Sequence, residues 1–493
     1  MKQKGILAGR AAFAAMSMAV AAFLPVSAAA LDASSVLKRA AAAMGSTDLK
    51  TITYTADGWG NTFGQAFVPG AHWPRIQIHS MTRTIDYEGS AMREQITLSR
   101  AEPMGGGGYP LFGQQTNDQY INSGFAWNVV GGNAAAGPRF VSERLHQLWI
   151  TPHGVLRAAA RNNAKLEFKD IGGRSLAVLT YTEAGRYKAT AYLNGDYEVV
   201  RVESRYPDAV LGEVDAVTTY SGYRSFNGVM FPSMVQQKVD GRPVLDLVIT
   251  KAEPNVPVSL TVPDGVRSHA ERVTTDKVAD GVWFIAGGSH NSVAIEMRDH
   301  MVLVEAPLGD YRTLPVIDAV NKLAPGKAIR YVVNSHHHFD HTGGIRAAAS
   351  TGATIVTQAK SKPYFEKLIS AKNAIDPDAL SKAGKRSKVM AIGDKGQLTD
   401  GKRVIELHRI KDSIHTDTFL MAYLPAEKLL IQADAFTPGP PGAKPPAVAN
   451  ANNVNLVENI ERLKLAVDRI LPLHGRVVPL AELYTAVGKT APR

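Results

Sequence analysis

The segment Ser335-His336-His337-His338-Phe339-Asp340-His341-Thr342-Gly343-Gly344 constrains this chain more than any other, because it places imidazoles and a carboxylate within six positions as H-x-H-x-D-H. It follows an apolar run, Ile329-Arg330-Tyr331-Val332-Val333, that reads as a buried strand. Side chains alternate faces along an extended chain, so His336 and His338 are expected on one side and His337 on the other. A turn then brings Asp340 and His341 round to a second point nearby. Imidazole nitrogens and carboxylate oxygens suit zinc and similar divalent ions. Chance yields the pattern in on the order of one chain in a thousand. The competing reading is a histidine-rich surface turn.

A metal site needs donors beyond one loop, and the second half of the chain offers them where apolar runs end. His415 stands just before the strand-like Phe419-Leu420-Met421-Ala422-Tyr423-Leu424. Asp434 ends Leu429-Leu430-Ile431-Gln432-Ala433, and His474 follows Leu471-Pro472-Leu473. Singly, each also reads as an ordinary turn residue with its hydrogen bonds satisfied. Taken in this order with the main motif, they read as one site. His337, His408, His269, His300 and the four histidines of the first half carry no spacing argument and are read as structural.

At 493 residues the chain is long enough for two or three domains with full cores. Residues 1–30 read as a secretory leader: Lys2, Lys4 and Arg10 come first, then an apolar stretch from Ala11 to Leu24, then Ala28-Ala29-Ala30 as a cleavage site. That stretch is short for a bilayer, and no later segment is apolar enough to span one. The chain has no cysteine, so disulfides and a lipid-modified cysteine are excluded. A periplasmic or secreted protein is expected, with no membrane span. The formal charge is +10, of which three cations sit in the leader. The densest basic stretch, Lys360 to Lys388, also holds Glu366, Asp376 and Asp378, and its aromatics are the adjacent Tyr364 and Phe365. It reads as a solvated face or lid, and no nucleic-acid partner is expected.

The pattern predicts an α+β chain: a β-rich first domain over 31–265 and a second domain over 270–493 in which strands and helices alternate. Asp32-Ala33-Ser34-Ser35 opens a short helix with a serine cap. Alternating segments such as 75–79, 176–181 and 244–249 follow, separated by the turns Asn194-Gly195-Asp196, Asn227-Gly228 and Asp240-Gly241. Gly105 to Gly108 and Gly131-Gly132-Asn133-Ala134 read as flexible loops. Pro254, Pro257 and Pro263-Asp264-Gly265 mark a linker. Beyond it, 282–286 and 292–295 form a hairpin around Gly287-Gly288-Ser289-His290-Asn291. Asn455 to Glu458 resembles a capping box ahead of a helical stripe of Leu456, Ile460, Leu463, Val467 and Ile470. The stretch from Tyr220 to Pro232, running to Lys251, loosely resembles periplasmic lipoprotein-carrier domains. A generic β domain packed against the second half is the alternative.

Through His336, His338, Asp340, His341, His415, Asp434 and His474, the region from Val273 to Arg493 resembles the metallo-β-lactamase superfamily. The resemblance implies an αββα sandwich with a dinuclear metal site at one edge. It implies that His336, His338 and His415 hold one zinc, that Asp340, His341 and His474 hold the other, and that Asp434 bridges both. Iron or manganese are further candidates for the two ions. Cysteine-bearing β-lactamases carry a thiolate where Asp434 stands, so the resemblance points to the glyoxalase-, lactonase- and phosphotriesterase-like members. Two divalent ions against Asp340, Asp434 and a hydroxide leave about one net positive charge, suited to an anionic transition state.

The expected function is therefore an exported zinc-dependent hydrolase of a small, apolar molecule, whose metal-bridging hydroxide attacks an ester, lactone, amide or phosphoester centre. Asp340 and Asp434 would orient that hydroxide. His290 and Asn291 border the active-site mouth by the same resemblance and are candidates to touch substrate, with a structural turn as the alternative. Asp417 is a candidate support for His415, or a solvated turn acid. Two other readings stay open: a mononuclear iron enzyme that oxidises persulfides, and a carrier of hydrophobic molecules whose metal is structural.

Overall fold

The computed structural model describes residues 1, 31–102, 105–107 and 113–491. The expected leader apart from Met1, and Gly108 of the glycine run, lie outside them. The first helix, Ala33–Ala43, is capped by Asp32 rather than by a serine: its carboxylate accepts the Ser35 N–H at 2.7 Å. The helix starts directly after Asp32, which leaves Ser34 and Ser35 inside its first turn.

The first domain is built on one antiparallel sheet of thirteen strands. Thr51–Asn61 pairs with Arg242–Pro254, which joins an early meander running to Asn133–Ala136 with a late one beginning at Lys165–Ile171. Alternation decides which face is buried. Along Arg75–Asp86, Ile76 and Ile78 point inward, the register shifts between Ile78 and Ser80, and Met81 and Ile85 then point inward on the opposite parity. Helices Val141–Trp149 and Pro152–Arg161 cover that face, placing Leu148, Trp149 and Val155 in one core with Ile78, Met81 and Ile85. Asp240 and Gly241 both take positive φ, at 47° and 76°, as a two-residue hairpin turn requires. Gly131 and Gly132 are not a flexible loop. They form an equally tight turn, and Asn133–Ala136 is the edge strand.

The second domain stacks two sheets, one of seven strands from Thr274–Ala279 to Val389–Ile392 and one of six from Lys395–Thr399 to Val478–Pro479. Strands buried on both faces read as unbroken apolar runs. In Met301–Val304, Val302 and Val304 face the second sheet, while Met301 and Leu303 face the helices Asp310–Leu323 and Ile345–Ser350. The helix Ala451–Leu463 packs Leu456, Val457 and Ile460 into the core shared by the two sheets. It starts one turn earlier than the expected capping box, with Asn450 as its cap, so Asn455 lies inside it and donates to the Lys411 carbonyl at 2.8 Å. It also stops before the expected stripe ends. Lys464 turns left-handed at φ 52°, and Ile470 belongs to the next strand, Arg469–Pro472.

Five strands of this domain end at the same edge: Val282–Ala286, Ile329–Val333, Val404–Arg409, Leu429–Gln432 and Arg469–Pro472. The parallel and antiparallel pairings give them a common direction, so the loops carrying His290, His336, His415, Asp434 and His474 all leave from that edge.

Candidate metal centre

After Val333 the chain bends at Ser335, carries no helix through His336 and His337, and is extended at His338 before the short helical segment Phe339–Thr342. His336 and His338 face one way. His337 faces the other, with Nδ1 3.3 Å from the Thr418 hydroxyl. The helical segment rotates Asp340 and His341 toward a second point.

Two groups result. His336, His338, His415 and Asp434 form one; His290, Asp340, His341 and His474 form the other, and within each group the donor atoms lie within 4.8 Å of one another. Asp434 stands between them. Its Oδ2 is 2.8 Å from His415 Nε2 and 3.4 Å from His336 Nε2, while its Oδ1 is 2.8 Å from His474 Nε2 and 3.2 Å from His341 Nε2. The Nε2 atoms of His336 and His415 are 3.1 Å apart, as are those of His341 and His474. Donors at opposite ends of a tetrahedral edge around zinc are separated by roughly 3.3 Å for bonds of 2.0–2.1 Å. The spacing is that of ligands around an ion.

The outward nitrogens are anchored. His341 Nδ1 meets the buried Glu305 carboxylate at 3.1 Å, and that carboxylate also accepts from Asn334 and Ser335. His474 Nδ1 donates to the Ser289 carbonyl at 3.1 Å, and His336 Nδ1 is 3.0 Å from the Ser335 hydroxyl. His338 is the sharpest case. Its Nε2 donates to the Ala66 carbonyl at 2.9 Å, and its buried Nδ1, facing the group, has no hydrogen-bond partner. An unpartnered buried lone pair is costly unless something binds it, so the donor set fits a cation.

Electrostatics say the same. Burial pushes His336 and His338 well below the ordinary imidazole range, toward the neutral form that ligates. Burial alone would raise Asp340 and Asp434, but the facing His341 outweighs it, with His290 at the first and His415 at the second, and both carboxyls stay well below the usual range. Burial is likewise outweighed at His341, which Asp434 and Asp340 hold well above its ordinary value. The carboxylates thus demand positive charge at the point where the donors converge.

Part of the site comes from the first domain, through an arm formed by residues 62–74 that joins two of its strands. Gln65 Nε2 donates to Asp340 Oδ1 at 2.8 Å, Gly64 accepts from the Phe339 N–H at 3.3 Å, and Phe67 accepts from Thr416 Oγ1 at 3.0 Å. Phe63 and Trp73 pack on Phe339, with ring centroids 5.3 and 6.3 Å from it. A Cβ on Gly64 would lie 2.3 Å from the Phe339 ring, so only glycine permits this approach. Of the glycine run behind the arm, the described Gly105, Gly106 and Gly107 are a seat for it rather than a loose loop. Gly107 donates to the Gln65 carbonyl at 3.0 Å, and a Cβ there would strike the Gln65 side chain.

All seven ligand candidates read from the sequence converge in these groups. His290, a candidate substrate contact or structural turn residue, places its Nε2 3.2 Å from Asp340 Oδ2 within the second group, and burial, partly opposed by Asp340, lowers it to about 4. Asn291 is buried and donates to the Pro472 and Gly475 carbonyls at 3.1 and 2.8 Å, which fixes the loop bearing His474. The Asp417 carboxylate pairs with Lys360 at 2.7 Å rather than with His415. Sequence reading missed Glu305 and Gln65. An acid directly after four fully buried apolar residues was a usable signal for Glu305. Nothing local marks Gln65, which meets Asp340 from 275 positions away.

The family model described as the metallo-beta-lactamase superfamily matches residues 285–474. No curated protein matches the chain. Among solved structures, a metallo-beta-lactamase from Pontibacter korlensis is 16% identical with a TM-score of 0.34, covering 44% of this chain and 98% of that one. The metallo-beta-lactamase FIM-1 from Pseudomonas aeruginosa, in its mono-zinc form, is 18% identical with a TM-score of 0.34, at 44% and 95% coverage. A flavo di-iron protein from Thermotoga maritima is 16% identical with a TM-score of 0.34, covering 44% of this chain and 61% of that one.

Proposed function

Residues 285–474 carry the metallo-β-lactamase superfamily domain, and from that premise we propose that this chain is an exported zinc-dependent hydrolase of small molecules. The observation that carries the reading is Asp434 standing between two converging donor groups, one oxygen toward each. All-nitrogen-and-oxygen donors in this number suit zinc. Bound there, a pair of divalent ions supplies Lewis acidity and brings the pKa of water from 15.7 to about 7.

The residues supply the rest. His336, His338 and His415 would hold one ion, with His341, His474, Asp340 and, by its position, His290 holding the other. Glu305, Ser335 and the Ala66 carbonyl fix the ring orientations of His341, His336 and His338, so the donors need not rearrange during turnover. Gln65 and His290 hold the two oxygens of Asp340, which sits where the cavity between the domains ends. Asp340 and Asp434 are placed to orient the attacking water and take its proton. Attack on a carbonyl or phosphoryl centre then yields hydrolysis.

The test is metal-quantified protein assayed against lactones, β-lactams, phosphotriesters and aryl esters. Two zinc ions per chain and hydrolysis that chelation abolishes and zinc restores are expected. One redox-active iron per chain with persulfide oxidation, or tight metal with no turnover on any substrate, would overturn the proposal. Export is tested separately, by the N-terminal residue of protein recovered from the periplasm or medium.

A further inference from the structure

Two cavities among the described residues draw on the same side chains. The larger, about 870 Å³, lies between the domains and ends against Asp340 and Gln65. The other, about 400 Å³, lies over the thirteen-stranded sheet. Thr62, Phe63, Asn117, Gln119, Glu143 and Tyr206 line both, so the two spaces adjoin, and the larger reaches Asp340 at the edge of the metal centre.

The sheet end of this passage has an aliphatic floor of Ile76, Ile78, Met92, Ile96 and Leu98. The cations beside it are satisfied within the wall. Arg83 pairs with Glu94, and Arg144 donates to the carbonyls of Tyr120 and Trp127 and to Asn128. Gly60 keeps the floor open: a Cβ there would stand 3.3 Å from Ile78 Cδ1 and 3.6 Å from Ile76 Cδ1. Its φ lies outside the left-handed region, so the backbone does not demand glycine; the missing side chain leaves space. The middle of the passage is acidic. Glu143, Asp208, Asp310 and Asp376 face it against Arg139 and Lys382, which disfavours an anionic occupant.

We propose that the substrate is an uncharged amphiphile, a long-chain carboxylic ester or lactone, whose aliphatic chain lies over Ile76, Ile78, Ile96 and Leu98 while its carbonyl reaches Asp340. This rests on the hydrolase reading above and adds its substrate class. Water oxygen adds to the carbonyl carbon, the bond from that carbon to the alkoxy oxygen breaks, and the proton passes to the departing alkoxide, giving acid and alcohol. The first domain is then the recognition half of the enzyme, and its arm sets where the passage meets the metal centre.

The test uses the full metal-loaded chain. With p-nitrophenyl esters from acetate to dodecanoate, kcat/KM should rise with chain length by up to about four-fold per methylene, the fold-change of about 0.8 kcal/mol per buried CH₂. Leu98→Trp and, independently, Gly60→Val should lower the dodecanoate-to-acetate ratio at least ten-fold. Calorimetric binding of 1-decanol, which involves no hydrolysis, should be lost in both variants. A flat chain-length series, or decanol binding unmoved by both variants, overturns the proposal. Decanol binding that both variants abolish, with no ester hydrolysed, sinks the hydrolase reading instead and leaves the aliphatic site standing.

Discussion

The two domains each bury histidines, and they use them differently. In the first, His146 and His153 sit in the core at 0% and 1% exposure. His146 meets the Ser204 hydroxyl at 2.8 Å and stacks on Tyr206 at 4.1 Å; His153 packs on Phe231 at 5.9 Å. In the second, His336, His338 and His341 are buried just as fully. Burial pushes His146 and His153 to about 3, the same direction as His336 and His338. Neither burial nor a depressed pKa therefore separates a ligand from a core histidine. What separates them is convergence: in the second domain the free nitrogens point at one another and at carboxylates, and the opposite nitrogens are anchored from outside.

The strongest way to break this contrast is to exchange one residue from each set. His336→Gln should lose at least one metal ion per chain on dialysis and lower kcat/KM by at least about a hundred-fold, since even partners outside the ligand shell cost about ten- to a hundred-fold in such sites. His146→Phe should leave metal content and kcat/KM within about two-fold of the parent. Elemental analysis beside steady-state rates decides it. A His336→Gln protein that keeps its full metal complement removes the distinction.

Acid sharpens the contrast next. His146 and His153 fall to about 3 when folded, against about 6.5 unfolded. Below pH 6.5 the unfolded chain binds protons the folded chain refuses, so first-domain stability is full above about 6.5 and declines as pH falls toward about 3. At pH 5 the decline is about 2 kcal/mol per histidine. Urea unfolding followed by tryptophan fluorescence reports mainly on this domain, because Trp59, Trp73, Trp127 and Trp149 lie in it and only Trp283 lies outside. His146→Phe should lose about 2 kcal/mol less than the parent between pH 7.5 and 5. An equal loss in both proteins would show that His146 charges in place.

The same contrast explains what the sequence made legible. The candidate ligands of the second domain stand where apolar strands end, and a strand end beside a turn is a local signal; His336, His415, Asp434 and His474 were all readable as candidates that way. So was the alternation of strands and helices, through apolar runs such as 301–304, whereas the helix–sheet–sheet–helix order followed only from the family resemblance. Boundaries set by a single backbone torsion were not: Lys464 in the left-handed region ends a helix that its apolar spacing would continue. The glycines at 131–132 and 105–107 announced unusual backbone but not its purpose, which is a hairpin in one case and close contact with the arm in the other. Gln65 carried no signal, because its meaning depends on a fold that brings it to Asp340 across the domain boundary.

That boundary gives the two smaller tests. Gln65→Ala removes one hydrogen bond from Asp340 and leaves the second domain's own donors in place. Metal affinity, read by competition with a chromophoric chelator, should fall about ten-fold. An unchanged affinity would show that the arm touches the site without supporting it. Asp417 is the counter-example on the same face. Its backbone N–H donates to the Phe67 carbonyl at 3.2 Å, which any residue there retains, and its carboxylate reaches only the half-exposed Lys360. Asp417→Ala should therefore shift stability by no more than about 1 kcal/mol and leave metal affinity alone. If it instead weakened metal binding as much as Gln65→Ala, the carboxylate two residues from His415 would be acting on that ligand through the loop.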